Sequence, residues 1–181
     1  TVCALADIVR SGKALYVGLS KYPPALFRQA CALLREAKVP CLLHQFRYNM
    51  LERTCEAETL PTVAAEHTGC IVFSPLAQGM LTGKYLGGML PPASRAADAA
   101  SVFLDAAKVQ ADAKRVQQLH ALACKAGIPL TQLALRWLLR RPEITSVLIG
   151  ARTVAQLEQC AAAAGQPPLP DALLQAVEHT R

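Results

Sequence analysis

The chain has 181 residues, 52% of them hydrophobic and 18% charged, a globular composition that supports a packed core and not that of a disordered chain. Its net charge of +6 is scattered, densest at Arg136, Arg140 and Arg141 and at Lys114 and Arg115. With 5% aromatics and no stacking platform, nucleic-acid binding is set aside in favour of small anionic ligands. No apolar run approaches the roughly 20 residues of a membrane span.

Residues 1–10 form an amphipathic piece interrupted by Asp7. They lack a basic start, an apolar centre and a cleavage site, so no secretory leader is expected. Residues 13–19 read as a short apolar strand, and Ser20 to Tyr22 as a turn. Pro23-Pro24 suits a helix start, and Phe27, Ala30, Leu34 and Ala37 follow at helical spacing. Residues 41–45 read as a second strand, residues 57–67 as a helix closed by Gly69, and residues 70–73 as a third strand.

A long connection rich in Gly, Pro and Ala then runs from 78 to about 106. Loops of that length in compact domains usually carry function or are disordered. Two helices follow, over 111–126 and 130–140, and a fourth strand over 145–150. Thr153 caps a further helix whose face carries Val154, Leu157, Ala161 and Ala164, and Asp171 opens the last. Strands and helices in alternation, with strands apolar along their length, predict an α/β fold with a parallel sheet. Such sheets place ligands at the strand C-terminal ends. Ser20, Gln45, Ser74 and the run Gly150-Ala151-Arg152 all fall there.

The third strand leads into Ser74-Pro75-Leu76-Ala77-Gln78-Gly79, then Gly83-Lys84-Tyr85 and later Arg95. A small-residue loop with basic side chains suits a phosphate-bearing ligand, because backbone N–H groups can approach and the cations neutralise it. Neither GxGxxG nor GxxxxGK[ST] is present, so a Rossmann fingerprint and a P-loop are excluded. The seven cysteines are odd in number and form no C-x-x-C pair. Reduced thiols in a cytoplasmic protein are expected. The four histidines make no metal-ligand spacing, so no metal site is expected.

Each residue also has an ordinary reading. Ser20 suits a helix cap, Gln45 a solvated turn, Phe73 the core, and Lys84, Arg95 and Arg152 solvated charge. Convergence on one sheet edge favours the functional reading.

In order along the chain, several motifs together resemble the C-terminal half of an aldo-keto reductase. They are Tyr16-Val17-Gly18-Leu19-Ser20, His44-Gln45 with Arg47-Tyr48-Asn49, Phe73 to Gly79 with Gly83-Lys84-Tyr85, Ser94-Arg95-Ala96, and Ser146 to Ala151 with Gln156-Leu157. The nearest resemblance is to the branch of potassium-channel β subunits and glyceraldehyde-phosphate reductases. Residues 12–164 carry the match, within one partial barrel domain over 1–181 that ends in a C-terminal helix over 165–181.

The resemblance implies strands 5 to 8 of a TIM (β/α)8 barrel binding NADP(H). Ser20 and Gln45 would meet the carboxamide, and Phe73 would stack on the nicotinamide. Ser74, Leu76 and Gln78 would follow the pyrophosphate. Lys84 and Arg95 would hold the 2′-phosphate side, with Gly150, Arg152, Gln156 and Gln159 at the adenosine end. The chain departs from the family at Lys21 and Cys160.

The family's catalytic Asp, Tyr, Lys and His lie on its first four strands, so no catalytic residue is assigned here. The implied activity is reduction of small aldehydes or ketones. A non-catalytic nucleotide-binding or interaction subunit, or a truncated gene product, is the alternative. Open sheet edges imply a second copy or an N-terminal half as partner.

Overall fold

The computed structural model describes residues 1–92, 94, 96–97 and 104–180. They form two compact units. The first comprises residues 1–48, 53–73 and 142–148, and the second residues 49–52, 74–141 and 149–181.

The first unit is built on a parallel four-stranded sheet in sequential order. Its strands are β1 (Val17–Ser20), β2 (Cys41–Arg47), β3 (Gly69–Phe73) and β4 (Ile144–Val147). Helices α1 (Val2–Arg10), α2 (Pro24–Glu36) and α3 (Thr59–Ala65) accompany the first three strands. Pro24 opens α2 where its missing N–H costs nothing, and the helix buries Phe27, Ala30, Cys31 and Leu34.

Side chains alternate across a strand, so each strand presents two faces. Leu19, His44, Cys70 and Ile144 share one register row and are buried. Phe27 of α2 stacks on the His44 ring at 4.2 Å, which places α2 on this face. Arg35 pairs with Glu66 at 2.7 Å, and Arg28 donates to Thr62 at 2.8 Å, tying α2 to the α3 region.

Between β3 and β4 the packing is close. A Cβ at Gly69 would lie 2.7 Å from Thr145 Oγ1 and 2.9 Å from Leu43 Cδ2, so a larger residue here would force those side chains to shift. The Cys70 amide donates to Thr145 Oγ1 at 3.2 Å, and its thiol to the Glu143 carbonyl at 2.8 Å. Burial pushes the Cys70 thiol up to about 11, so it remains protonated.

The second unit contains α4 (Ala106–Lys125), α5 (Leu130–Leu139), α6 (Val154–Ala161) and α7 (Asp171–Glu178), with short 3₁₀ segments at Ala77–Thr82 and Leu86–Gly88. Helix α5 packs on α4 and α6, and α4 packs on α7. Val116, Leu119, Leu133, Ala134, Trp137 and Leu138 form its buried centre. The 3₁₀ segment Ala77–Thr82 rests on α4 and α5, which gives the loop after β3 a rigid base.

Several expected boundaries move. The amphipathic residues 1–10 contain a helix, α1. The strand expected over 13–19 begins only at Val17, with Leu15 81% and Tyr16 68% exposed. Strand β2 continues to Arg47 and β4 stops at Val147. Helix α3 is shorter than the 57–67 expected, and α4 starts earlier than 111. On α6 the expected apolar face is not covered, since Val154 and Leu157 are exposed and only Cys160 is buried within the helix. All seven cysteines are free. Among the described residues, no helix is long and apolar enough to cross a membrane.

Candidate functional site

In the first unit the residues of interest occupy the face opposite His44. Ser20 pairs with Gln45, Gln45 with Ile71, and Ile71 with Ser146, forming one row across all four strands. Arg47 and Phe73 form the next row. Ser20 is exposed, and Gln45 and Phe73 are half-buried. The two rows together place a hydroxyl, a carboxamide and an aromatic ring on this face, each within the last three residues of its strand.

Two cations flank the Phe73 ring. Lys21 Nζ lies 5.3 Å from its centroid and the Arg47 guanidinium 5.7 Å. Lys21 takes φ +58°, and its amide donates to the Gln45 carbonyl at 2.8 Å. A left-handed non-glycine residue at a strand end is held by its surroundings. Sequence reasoning gave no role to Lys21 or Arg47. A cation–π pair has no short-range spacing signal, because Lys21 and Phe73 meet only through strand pairing.

The loop after β3, in the second unit, has an unusual backbone. Ser74, Ala77, Gln78 and Gly79 all lie at positive φ, at 55°, 47°, 59° and 98°. The loop closes on itself: Ala77 N–H donates to Ser74 O at 3.0 Å, and the Gly79 and Leu81 amides donate to Leu76 O at 2.9 and 3.2 Å. The Gln78 side-chain amide donates to Ser74 Oγ at 3.0 Å.

Lys84 folds back across this loop. A Cβ at Gly79 would fall 2.6 Å from Lys84 Cε and 2.7 Å from Nζ, so the ammonium group rides on the bare glycine backbone. Successive left-handed residues curl the main chain, and the Lys84 ammonium group, on an exposed residue, lies over that curl. Beside it, Tyr85 is buried and accepts the Ala96 N–H at 3.4 Å. Burial raises its pKa, but the Ser94 hydroxyl, the Ala96 amide and the Lys84 charge together outweigh burial and hold the phenol below its ordinary value.

Gly150, Arg152, Gln156 and Gln159 lie on the approach to α6 and on its first turns. Thr153 Oγ1 accepts the Gln156 amide at 3.3 Å, and Gln156 Oε1 accepts the Arg152 amide at 2.9 Å. This reciprocal cap satisfies two N-terminal donors. The Arg152 and Gln159 side chains are exposed, open space surrounds Gly150, and the Gln159 carbonyl accepts the Gln132 side-chain amide. Arg95 lies outside the described residues.

The structure therefore gathers Ser20, Gln45 and Phe73 on one face of the sheet unit. Within the second unit, Ser74, Leu76, Gln78 and Lys84 share one loop, and Gly150 to Gln159 form a separate segment. Among the described residues, no group of three His, Cys, Asp or Glu is placed to hold a metal.

Residues 1–180 match the profile described as the Aldo/keto reductase family. The chain is 43% identical over 163 residues to the L-glyceraldehyde 3-phosphate reductase of Escherichia coli strain K12, covering 88% of this chain and 47% of that protein. It is 33% identical over 162 residues to a probable voltage-gated potassium channel subunit beta of Arabidopsis thaliana, covering 88% of this chain and 49% of that protein. The chain spans about half the length of the curated relatives it matches.

Proposed function

This chain belongs to the aldo/keto reductase family, and we propose that it is the NADP(H)-binding half of an enzyme that reduces small aldehydes or ketones to alcohols. In this reading β1 to β4 are strands 5 to 8 of an eight-stranded barrel. Ser20 and Gln45 orient the carboxamide, and Phe73 supports the nicotinamide ring. Ser74, Leu76 and Gln78 follow the pyrophosphate. Lys84 and Arg95 neutralise the 2′-phosphate side, and Gly150, Arg152, Gln156 and Gln159 hold the adenosine end. The bound nicotinamide supplies the hydride, and these residues bind and orient it.

The observation that carries this reading is the left-handed turn of the loop after β3 with Lys84 laid over Gly79. Small residues and an ordinary turn would satisfy a mere connection. A curled main chain under a cation is useful where phosphate is bound. The small-aldehyde substrate follows the name of the Escherichia coli relative. The open edges at β1 and β4 call for strand partners, which we assign to an N-terminal half or a second copy. A second reading, an interaction subunit without turnover, draws on the likeness to the channel subunit.

NADPH is expected to bind more tightly than NADH. Fluorescence titration of the chain with both cofactors measures this. A charge-assisted contact to phosphate is worth about 1.5–3 kcal/mol, so Lys84→Ala should weaken NADPH about tenfold or more and NADH little. Arg95→Ala and Arg152→Ala should act in the same direction. Equal affinities for the two cofactors, or an unchanged preference in all three variants, would refute the assignment.

A further inference from the structure

The loop after β3 is fixed at its first residue by a group that sequence reading leaves without a role. Asn49 is 2% exposed, and its side-chain amide is bonded at both its nitrogen and its oxygen. Its Nδ2 donates to the Ser74 carbonyl at 3.0 Å, and its Oδ1 accepts the Leu51 and Glu52 amides, both at 2.9 Å. The Asn49 and Glu52 main chains also exchange two hydrogen bonds at 3.2 Å, closing a tight turn.

That turn is gripped from α4. Arg115 donates to the Leu51 carbonyl at 3.1 Å and to the Met50 carbonyl at 2.5 Å. A planar guanidinium holding two adjacent carbonyls restrains orientation as well as distance. The chain of contacts runs from α4 through Arg115 to the turn 49–52, then through Asn49 to Ser74. Ser74 is the first left-handed residue of the loop, and its carbonyl also accepts the Ala77 amide.

We infer that Asn49 and Arg115 are positioning residues that hold the Ser74 loop in its phosphate-binding shape from the body of α4. This rests on the cofactor reading above, but the shape of the loop can be measured without cofactor. The polar anchor suits the task because a buried amide bonded through both its nitrogen and its oxygen restricts the geometry, and displacement leaves a buried group unpaired.

The test combines hydrogen exchange with NADPH titration on the full chain. Asn49→Asp keeps the acceptor for the Leu51 and Glu52 amides but turns a carboxylate oxygen against the Ser74 carbonyl. Arg115→Met removes both contacts to the turn, and Arg115→Lys keeps a donor without the fork. In Asn49→Asp and Arg115→Met, exchange should rise in residues 76–85 and not in α5, and NADPH affinity should fall about tenfold. Arg115→Lys should be intermediate. Lys84→Ala should lose affinity with loop exchange unchanged.

Unchanged loop exchange in both Asn49→Asp and Arg115→Met would overturn the inference. So would faster exchange spread evenly over the second unit in both variants, which would mark a merely structural role. Failure of the unsubstituted chain to bind NADPH would remove the cofactor reading instead, and the exchange pattern would still decide the positioning role.

Discussion

Assayed with NADPH and short aldehydes, these 181 residues are expected to give no turnover above the uncatalysed background. Carbonyl reduction needs a proton donor within reach of the developing oxyanion, and such a donor typically contributes about 10²- to 10⁴-fold. The four tyrosines do not offer one. Tyr48 is fully buried and donates to Glu56 Oε1 at 2.6 Å. Tyr16 is 68% exposed ahead of β1, away from the strand ends where the candidate residues gather. Tyr22 sits in the turn that leads into α2. Tyr85, with its lowered pKa and neighbouring Lys84, is chemically the nearest candidate, but it is 2% exposed. Turnover in the range of ordinary enzymes, abolished by Tyr85→Phe, would show that Tyr85 is the donor and that the chain is catalytically competent.

Acid is expected to destabilise the sheet unit through His44. The ring is 1% exposed, stacked on Phe27 and tilted against Phe46 at 5.4 Å, and neither nitrogen has a hydrogen-bond partner. Burial lowers its pKa from 6.5 to about 4. The unfolded chain therefore takes up a proton at higher pH than the folded one. Stability from this group is intact above pH 6.5, falls as pH drops below that value, and levels off once the folded form protonates near pH 4. A displacement of that size is worth about 3 kcal/mol. Urea unfolding at pH 7, 5.5 and 4.5 measures it. His44→Leu should remove most of the slope in this window, and the same slope in both proteins would refute the assignment.

How much of this is legible in sequence depends on what neighbours each segment. The runs at Cys41 and Cys70 announce the two central strands by their short apolar stretches, and both pair on either side. The end strands are less legible. Residues 13–16 are as apolar as a strand, yet pairing with β2 begins only at Val17. The helix with Trp137 is clear, since its burial follows helical spacing closely. The candidate loop is legible as composition and not as shape, since Ser74, Ala77 and Gln78 adopt a conformation that glycine would have advertised. Arg115 was hidden for a different reason. It reads as half of a basic pair, and its partners lie 64 and 65 residues away.

The closeness of β3 to β4 has a consequence for how the molecule assembles. The bond from the Cys70 amide to Thr145 joins residues 75 positions apart, whereas β1 and β2 are joined through α2 alone, and β2 and β3 through α3 and one short 3₁₀ turn. Closing a longer loop costs entropy, about 0.6 kcal/mol for each doubling. The chain between β3 and β4 must also organise α4 and α5, which have a core of their own. Strand β4 is thus the last to join and the first to leave, and its amides should exchange at lower denaturant than those of β2. As an outer strand paired on one side only, to β3 from Cys70 to Val72, β4 marks the seam along which the sheet opens.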